Sequence, residues 1–279
     1  MLLLKKLIVN ADDFGLSAAI NAGIVRSHVD GIVTSTSIVA SGEAFGEAVQ
    51  QSRMYPSLGV GVHLTLVEEN SVCAPDQIPT LAPTGVLPRT YGKLLKGIAE
   101  GSIHTADIER ELQAQIDKCL AAGIKITHLD SHQHTHTLPL LFPRVIKLAK
   151  QYGVHCIRLP RCWPQLRFVA GERFLAKCVL CVFAHSDALL FSSSDYKTTD
   201  HFAGLFESGR LTTAALSDIL EDLKMGATEL CCHPACDDPS PRYANWNQRR
   251  QIELASLTNP LIRKILQDAG VQLISYAQL

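Results

Sequence analysis

Short apolar, β-branched runs alternate with helical patterns from one end of this chain to the other. No other feature of the sequence restricts the fold as much. KLIVNADD (6–13), IVTSTSIVAS (32–41), GVGVHLTL (59–66), the run at 124–130, VHCIRLP (154–160), ATELCCHP (227–234) and VQLISY (271–276) read as strands. Between the first two, Ser17 is placed to cap a helix that turns Ile20, Ile24 and Val25 inward and stops at Gly31. Further helices are expected at about 43–53, along Ile108, Leu112, Ile116 and Leu120 up to Gly123, at 140–152 and at 211–226, with one or two more before the last strand. Strands separated by helices build βαβ units and a parallel sheet. The expectation is therefore an α/β fold: one domain over 1–279, an irregular (β/α) TIM-like barrel of about seven parallel strands, with a doubly wound open sheet as runner-up.

Several function classes drop out. The residues after the first strand read ADDFGLS, neither a GxGxxG nor a Walker loop, so dinucleotide and nucleoside triphosphate chemistry are not expected. A net charge of −1 gives no reason for a nucleic-acid partner or an anionic membrane surface. The richest apolar run, CVLCVF (178–183), is far shorter than the roughly 18 residues of a membrane span. The apolar start before Lys5 is too short for a secretory signal, and nine irregularly spaced cysteines read as reduced thiols of a cytoplasmic protein. Cys178 with Cys181, and Cys231 and Cys232 with Cys236, are read as core thiols rather than a zinc site. Residues 67–90 carry Pro75, Pro79, Pro83 and Pro88 without periodicity, and a loop this long is expected to serve as a lid or substrate-binding segment. The stretch 164–209 reads only as an apolar helix followed by a polar segment, SSSDYKTTDHF. A homodimer is an open expectation for a barrel of this size.

Strand after strand ends in residues that can do chemistry: Asp12 and Asp13, His63, Asp130 with His132, Arg158, and His233. In parallel α/β folds the C-terminal strand ends line one face, where sites are built. Each residue alone has a structural explanation; their joint placement points to a shared site. The stretch THLDSHQHTH (127–136) puts His128, Asp130, His132, His134 and His136 at alternate positions. If extended, its first and last histidines would lie roughly 26 Å apart at 3.3 Å per residue. With metal–ligand bonds of about 2 Å, one ion reaches only neighbouring members of that row. The others need different roles, such as hydrogen bonds to the ligands, and a turn after Ser131 would remove the later histidines from the row.

IVNADDFGLS (8–17), DGIVTSTS (30–37), GVHLTL (61–66), THLDSHQHTH (127–136) and CHP (232–234) resemble the YdjC-like family of carbohydrate deacetylases, which includes chitooligosaccharide and hopanoid-pathway deacetylases. The likeness is dense from Leu7 to about Arg158 and thinner beyond. It implies a distorted (β/α) barrel that hydrolyses an N-acetyl group on a sugar, with one divalent metal, Mg²⁺ or Zn²⁺. By the resemblance Asp13, His63 and His132 are the metal ligands, Asp12 the catalytic base and His233 the catalytic acid, with the roles of Asp12 and Asp13 exchangeable. IRLPR (157–161) looks like the arginine-containing motif of other deacetylases, so Arg158 is an orienting group. Asp130 and His136, with His128 and His134, become outer partners or substrate contacts. The competing readings are another metal hydrolase, phosphoesterase-like, on the same barrel, or a non-catalytic sugar- or metal-binding protein.

Overall fold

The computed structural model describes residues 4–162, 174–191 and 196–279. Its strands are β1 (Lys5–Phe14), β2 (Ser35–Ile38), β3 (Gly59–Leu64), β4 (Ile126–Ser131), β5 (His201–Ala203), β6 (Gly226–Cys232) and β7 (Gln272–Leu273). They form a seven-stranded sheet in the order β4-β3-β2-β1-β6-β5, and every pairing is parallel. β6 runs along one edge of β1 from Lys5 to Ala11, while β7 and then β2 share the other edge.

Of the irregular TIM-like barrel expected from the sequence, the described residues form the parallel α/β part, as a curled half-barrel. Among the described residues, the pairing beyond β4 continues as isolated parallel bridges, Leu129 with Ile157 and Cys156 with Lys197. The strand expected at 154–160 shrinks to those bridges, whose partners Leu129 and Lys197 are remote in sequence. The segment after Lys197 instead supplies β5, which the sequence reading did not foresee. Positions 163–173 and 192–195, within the stretch that resisted reading, lie outside the described residues.

The helices are α1 (Ala18–Val29), α2 (Phe45–Met54), α3 (Tyr91–Ala99), α4 (Thr105–Ala121), α5 (Phe142–Tyr152), α6 (Phe174–Phe191), α7 (Thr213–Glu221), α8 (Ala244–Leu257) and α9 (Pro260–Asp268). The Ser17 side chain caps α1 as expected, accepting from the Ile20 N–H. The helix closes at Asp30, one residue ahead of Gly31, where a Cβ would stand 2.5 Å from the Leu257 carbonyl oxygen. Residues 67–90 form no regular element beyond a bridge between Asn70 and Val86. No helix among the described residues is long and apolar enough to cross a membrane, and all nine cysteines are free thiols.

Side-chain alternation along the strands divides the interior in two. Leu7, Val9 and Ala11 of β1, Val60, Val62 and Leu64 of β3, and Leu230 and Cys232 of β6 join the main apolar core beneath the helices. Their neighbours on the other face are Asn10 and Asp12, Ser35 and Ser37, His63, His128 and Asp130, and Glu229, all buried. The concave side of the curl is thus polar, and there Ser37 donates to Asp130, Asn10 donates to Ser37, and Arg158 reaches three carboxylates. Gly61 on this face leaves room for the His128 ring, which an added Cβ would meet at 2.4 Å. That ring stacks on Tyr276 with centroids 3.9 Å apart.

Candidate active site

Consecutive residues of a strand point to opposite faces, yet Asp12 and Asp13 both line one cavity. The pairing with β2 slips by one residue between Ala11 and Phe14, and Asp13 adopts the left-handed conformation, with φ 75°. This bulge turns the second carboxylate to the same side as the first. Asp tolerates the left-handed region better than most residues, and a turn residue would be needed there in any case.

Three ligand atoms converge at the bulge. Asp13 Oδ1 lies 3.6 Å from His63 Nε2 and 3.3 Å from His132 Nδ1. It is buried and has no hydrogen-bond partner of good geometry. Each imidazole is oriented by a carboxylate on its other nitrogen: His63 Nδ1 by Asp130 Oδ1 at 2.9 Å, and His132 Nε2 by Glu68 Oε2 at 3.1 Å. Arg250 Nη2 donates to the second oxygen of Asp13. Metal-binding histidines are characteristically held in this way by carboxylates. An orphaned carboxylate oxygen facing two pre-oriented imidazole nitrogens fits a divalent cation, and Asp13, His63 and His132 are the residues that would hold it.

Asp12 is gripped differently. Arg158 bonds both of its oxygens at 2.7 Å, Asn10 Nδ2 donates to Oδ1 at 2.8 Å, and the Cys231 thiol approaches Oδ2 at 3.3 Å. Arg158, fully buried, also contacts Asp130 at 2.8 Å and Glu229 at 2.7 Å, and Tyr276 donates to Glu229. Burial pushes the carboxyls of Asp12 and Asp13 up, but Arg158 beside the first and Arg250 beside the second hold both well below the usual range. Burial lowers His63 and His132, whereas the Asp130 carboxylate raises the first and contacts with Asp13 and Glu68 lift the second to about 10. The neutral members of the row lie elsewhere: burial brings His128 down to about 3 and His136 to about 4.

The chain does turn after Ser131, into a 3-10 turn over His132–Thr137 with Gln133 and His134 left-handed. His132 alone therefore joins the converging set. His134 lines the cavity, with Nδ1 unpartnered. His136 bonds the Arg158 carbonyl and Ser131, behind the cavity wall. Of the outer-partner and substrate-contact alternatives for Asp130, Arg158 and His136, their place favours the first: all three are buried and none lines the cavity. His233 does line it, with Nδ1 buried and unpartnered and its backbone N–H given to Glu253.

Sequence reasoning missed Arg250, Glu68 and Tyr243. For Arg250 a signal existed: Arg250, Glu253, Leu254 and Leu257 fall at helical spacing, and all four are buried along α8. Glu68 carries φ 70° within the long loop, which sequence does not announce.

The family model for YdjC-like protein matches residues 6–268. The chain belongs to the YdjC-like family. This YdjC-like chain is 34% identical over 277 residues to a carbohydrate deacetylase of Brevibacillus brevis, spanning 98% of this chain and 99% of that protein. It is 34% identical over 270 residues to a chitooligosaccharide deacetylase of Salmonella schwarzengrund, with 95% and 96% covered. A crystal structure of a proposed cellobiose-phosphate cleavage protein from Enterococcus faecalis V583 superposes with TM-score 0.75 at 25% identity, over 99% of this YdjC-like chain and 98% of that one.

Proposed function

We propose that this protein is a metal-dependent carbohydrate deacetylase that hydrolyses the N-acetyl group of an acetylated amino sugar on an irregular TIM-like barrel. The observation that carries the reading is the convergence of Asp13, His63 and His132 beside an ionised Asp12, in a chain whose relatives are named carbohydrate and chitooligosaccharide deacetylases. Two imidazoles and a carboxylate suit zinc, and magnesium is the alternative that oxygen-rich surroundings would favour. A bound divalent cation polarises an amide carbonyl and acidifies water at neutral pH.

The chain's own residues supply the rest. Asp13 lies near both histidines, whereas Asp12 is 3.9 Å from His63, which favours Asp13 as ligand and Asp12 as base. Arg158 fixes the Asp12 carboxylate and keeps it charged, the form that can accept a proton from attacking water. His233, on a different strand end of the same cavity, is placed to protonate the leaving amine.

Acetate release from a panel of N-acetylated sugars, with and without chelator, tests the reading. The expected result is release that chelation abolishes and one equivalent of zinc or magnesium restores. No release from any member overturns it, and tight binding of two or three ions per chain would favour a phosphoesterase-like site.

A further inference from the structure

Glu68 orients His132 from an unpromising position. Its carboxylate Oε2 lies 3.1 Å from His132 Nε2, yet its side chain is 43% exposed and its backbone is left-handed, with φ 70°. A residue with a Cβ keeps such a conformation only where its surroundings hold it. The Glu68 N–H donates to the Pro88 carbonyl at 3.0 Å, and Gln133 Nε2 donates to Glu68 Oε1 at 2.7 Å. A further hold comes from far along the chain, from Arg242.

Arg242 follows β6, and its guanidinium meets the loops that follow two other strands. Nη2 donates to the Glu69 carboxylate at 2.6 Å and to the Glu68 carbonyl at 3.3 Å, both after β3. Nη1 donates to Glu43 at 2.8 Å, after β2. In the sheet β1 lies between β2 and β6, so these contacts bridge the end of β1, where Asp12 and Asp13 stand. An exposed ion pair would count for little, but the Glu69 side chain is only 7% exposed, and Arg242 is the cation beside it. The loop that carries Arg242 is itself anchored. Ser17, the cap of α1, donates to Asp238 Oδ2 at 2.6 Å, the Ser240 N–H to Asp238 Oδ1 at 2.9 Å, and the Arg242 N–H to Ser240 Oγ at 3.3 Å.

We propose that Arg242 is a positioning residue of the cation site: it clasps the Glu68–Glu69 segment to the loop after β6 and so keeps the Glu68 carboxylate on His132. This role presupposes the metal reading of Asp13, His63 and His132. A planar guanidinium serves Glu43, Glu69 and the Glu68 carbonyl together, which the compact charge of a lysine does not. A role confined to fold stability would leave metal affinity alone, and a grip on substrate would show in KM.

The test is a calorimetric titration of zinc into metal-free protein. Glu68→Gln, which weakens the outer partner of a ligand histidine, should cost about 10–100-fold in affinity. Arg242→Gln should cost about tenfold, at the lower end of the same range. The double variant should bind no more weakly than Glu68→Gln alone, because the two residues act along one path. Arg242→Lys keeps a charge for Glu69 but loses the hydrogen bond to the Glu68 carbonyl, and it should still weaken binding about threefold. It carries the test if Arg242→Gln does not fold. The zinc concentration that gives half-maximal acetate release should move by the same factor as the affinity. Parent-like zinc affinity in the Arg242 variants, whatever their melting temperatures, would overturn the proposal. A raised KM for the acetylated sugar at saturating zinc, with parent-like zinc affinity, would make Arg242 a substrate contact and overturn it too. A parent protein that takes up neither zinc nor magnesium would bring down the metal reading and this role with it, so the two failures separate before any variant is compared.

Discussion

Asp13 does two things at once: its backbone makes the bulge and its carboxylate faces the imidazoles. Asn keeps the left-handed backbone accessible, so Asp13→Asn separates the two roles. The variant should melt below the parent, because buried Arg250 loses its carboxylate partner, and should bind zinc more weakly than Asp130→Asn, whose loss of an outer partner should cost about 10–100-fold in a calorimetric titration. Asp12→Asn should bind metal normally and lower kcat by roughly 10²–10⁴-fold, and full activity in that variant would remove Asp12 as the base. His132 adds a pH signature. Its proton is held up to about 10 in the metal-free protein, above the usual imidazole value. A raised folded pKa contributes stability that is complete below the unfolded value near 6.5 and disappears as pH rises through about 10. Melts of metal-free protein should therefore fall in temperature from pH 7 to pH 10, and His132→Gln should flatten that slope. Because the cation must displace the proton, metal affinity should strengthen as pH rises over the same interval.

Helices and strands meet at glycines that leave no room for a methyl group. An added Cβ at Gly23 of α1 would lie 2.3 Å from the Ala235 Cα, in the backbone just after β6. Backbone cannot yield as a flexible side chain does, so Gly23→Ala should destabilise by about 1–3 kcal/mol or more in urea unfolding despite alanine's better helix propensity. At this level the sequence was most informative where a pattern repeated. β1, β3, β4 and β6 and the capped start of α1 lie within a few residues of their expected places because alternation, β-branching and Ser17 are local signals. The strand at 154–160 was misread because VHCIRLP has the composition of a strand, whereas the partners that decide its pairing, Leu129 and Lys197, are remote in sequence. The same limit applies to the site. Asp12, Asp13, His63 and His233 could be found because they end strands, and Arg158 because its run points the same way. Arg250 reaches Asp13 across 237 positions of chain, and Tyr243 enters from a loop, so only tertiary packing brings them in.

For the whole molecule, the decisive feature is the polar inner layer of the curled sheet, centred on Arg158. Removing one member of a buried charge network strands the others, and Arg158→Met would leave Asp12, Asp130 and Glu229 without their shared cation. A loss of about 3–5 kcal/mol in urea unfolding is expected, together with loss of activity on any substrate. Glu229→Gln should be milder, since burial already pushes the Glu229 carboxyl up to about 7, so that only about half of it is charged at that pH. The inner layer differs in how it can change from the apolar wall that Leu95 and Ile98 of α3, Leu140, and Val179, Leu180 and Phe183 of α6 give the cavity. Each inner residue answers to several others, so it can be replaced only in compensating sets, and most single replacements there cost the fold and the chemistry together. The wall residues answer mainly to whatever lies against them. A library confined to Leu95, Leu140 and Val179 can therefore be searched one letter at a time for new ligands while the inner layer is left as it is.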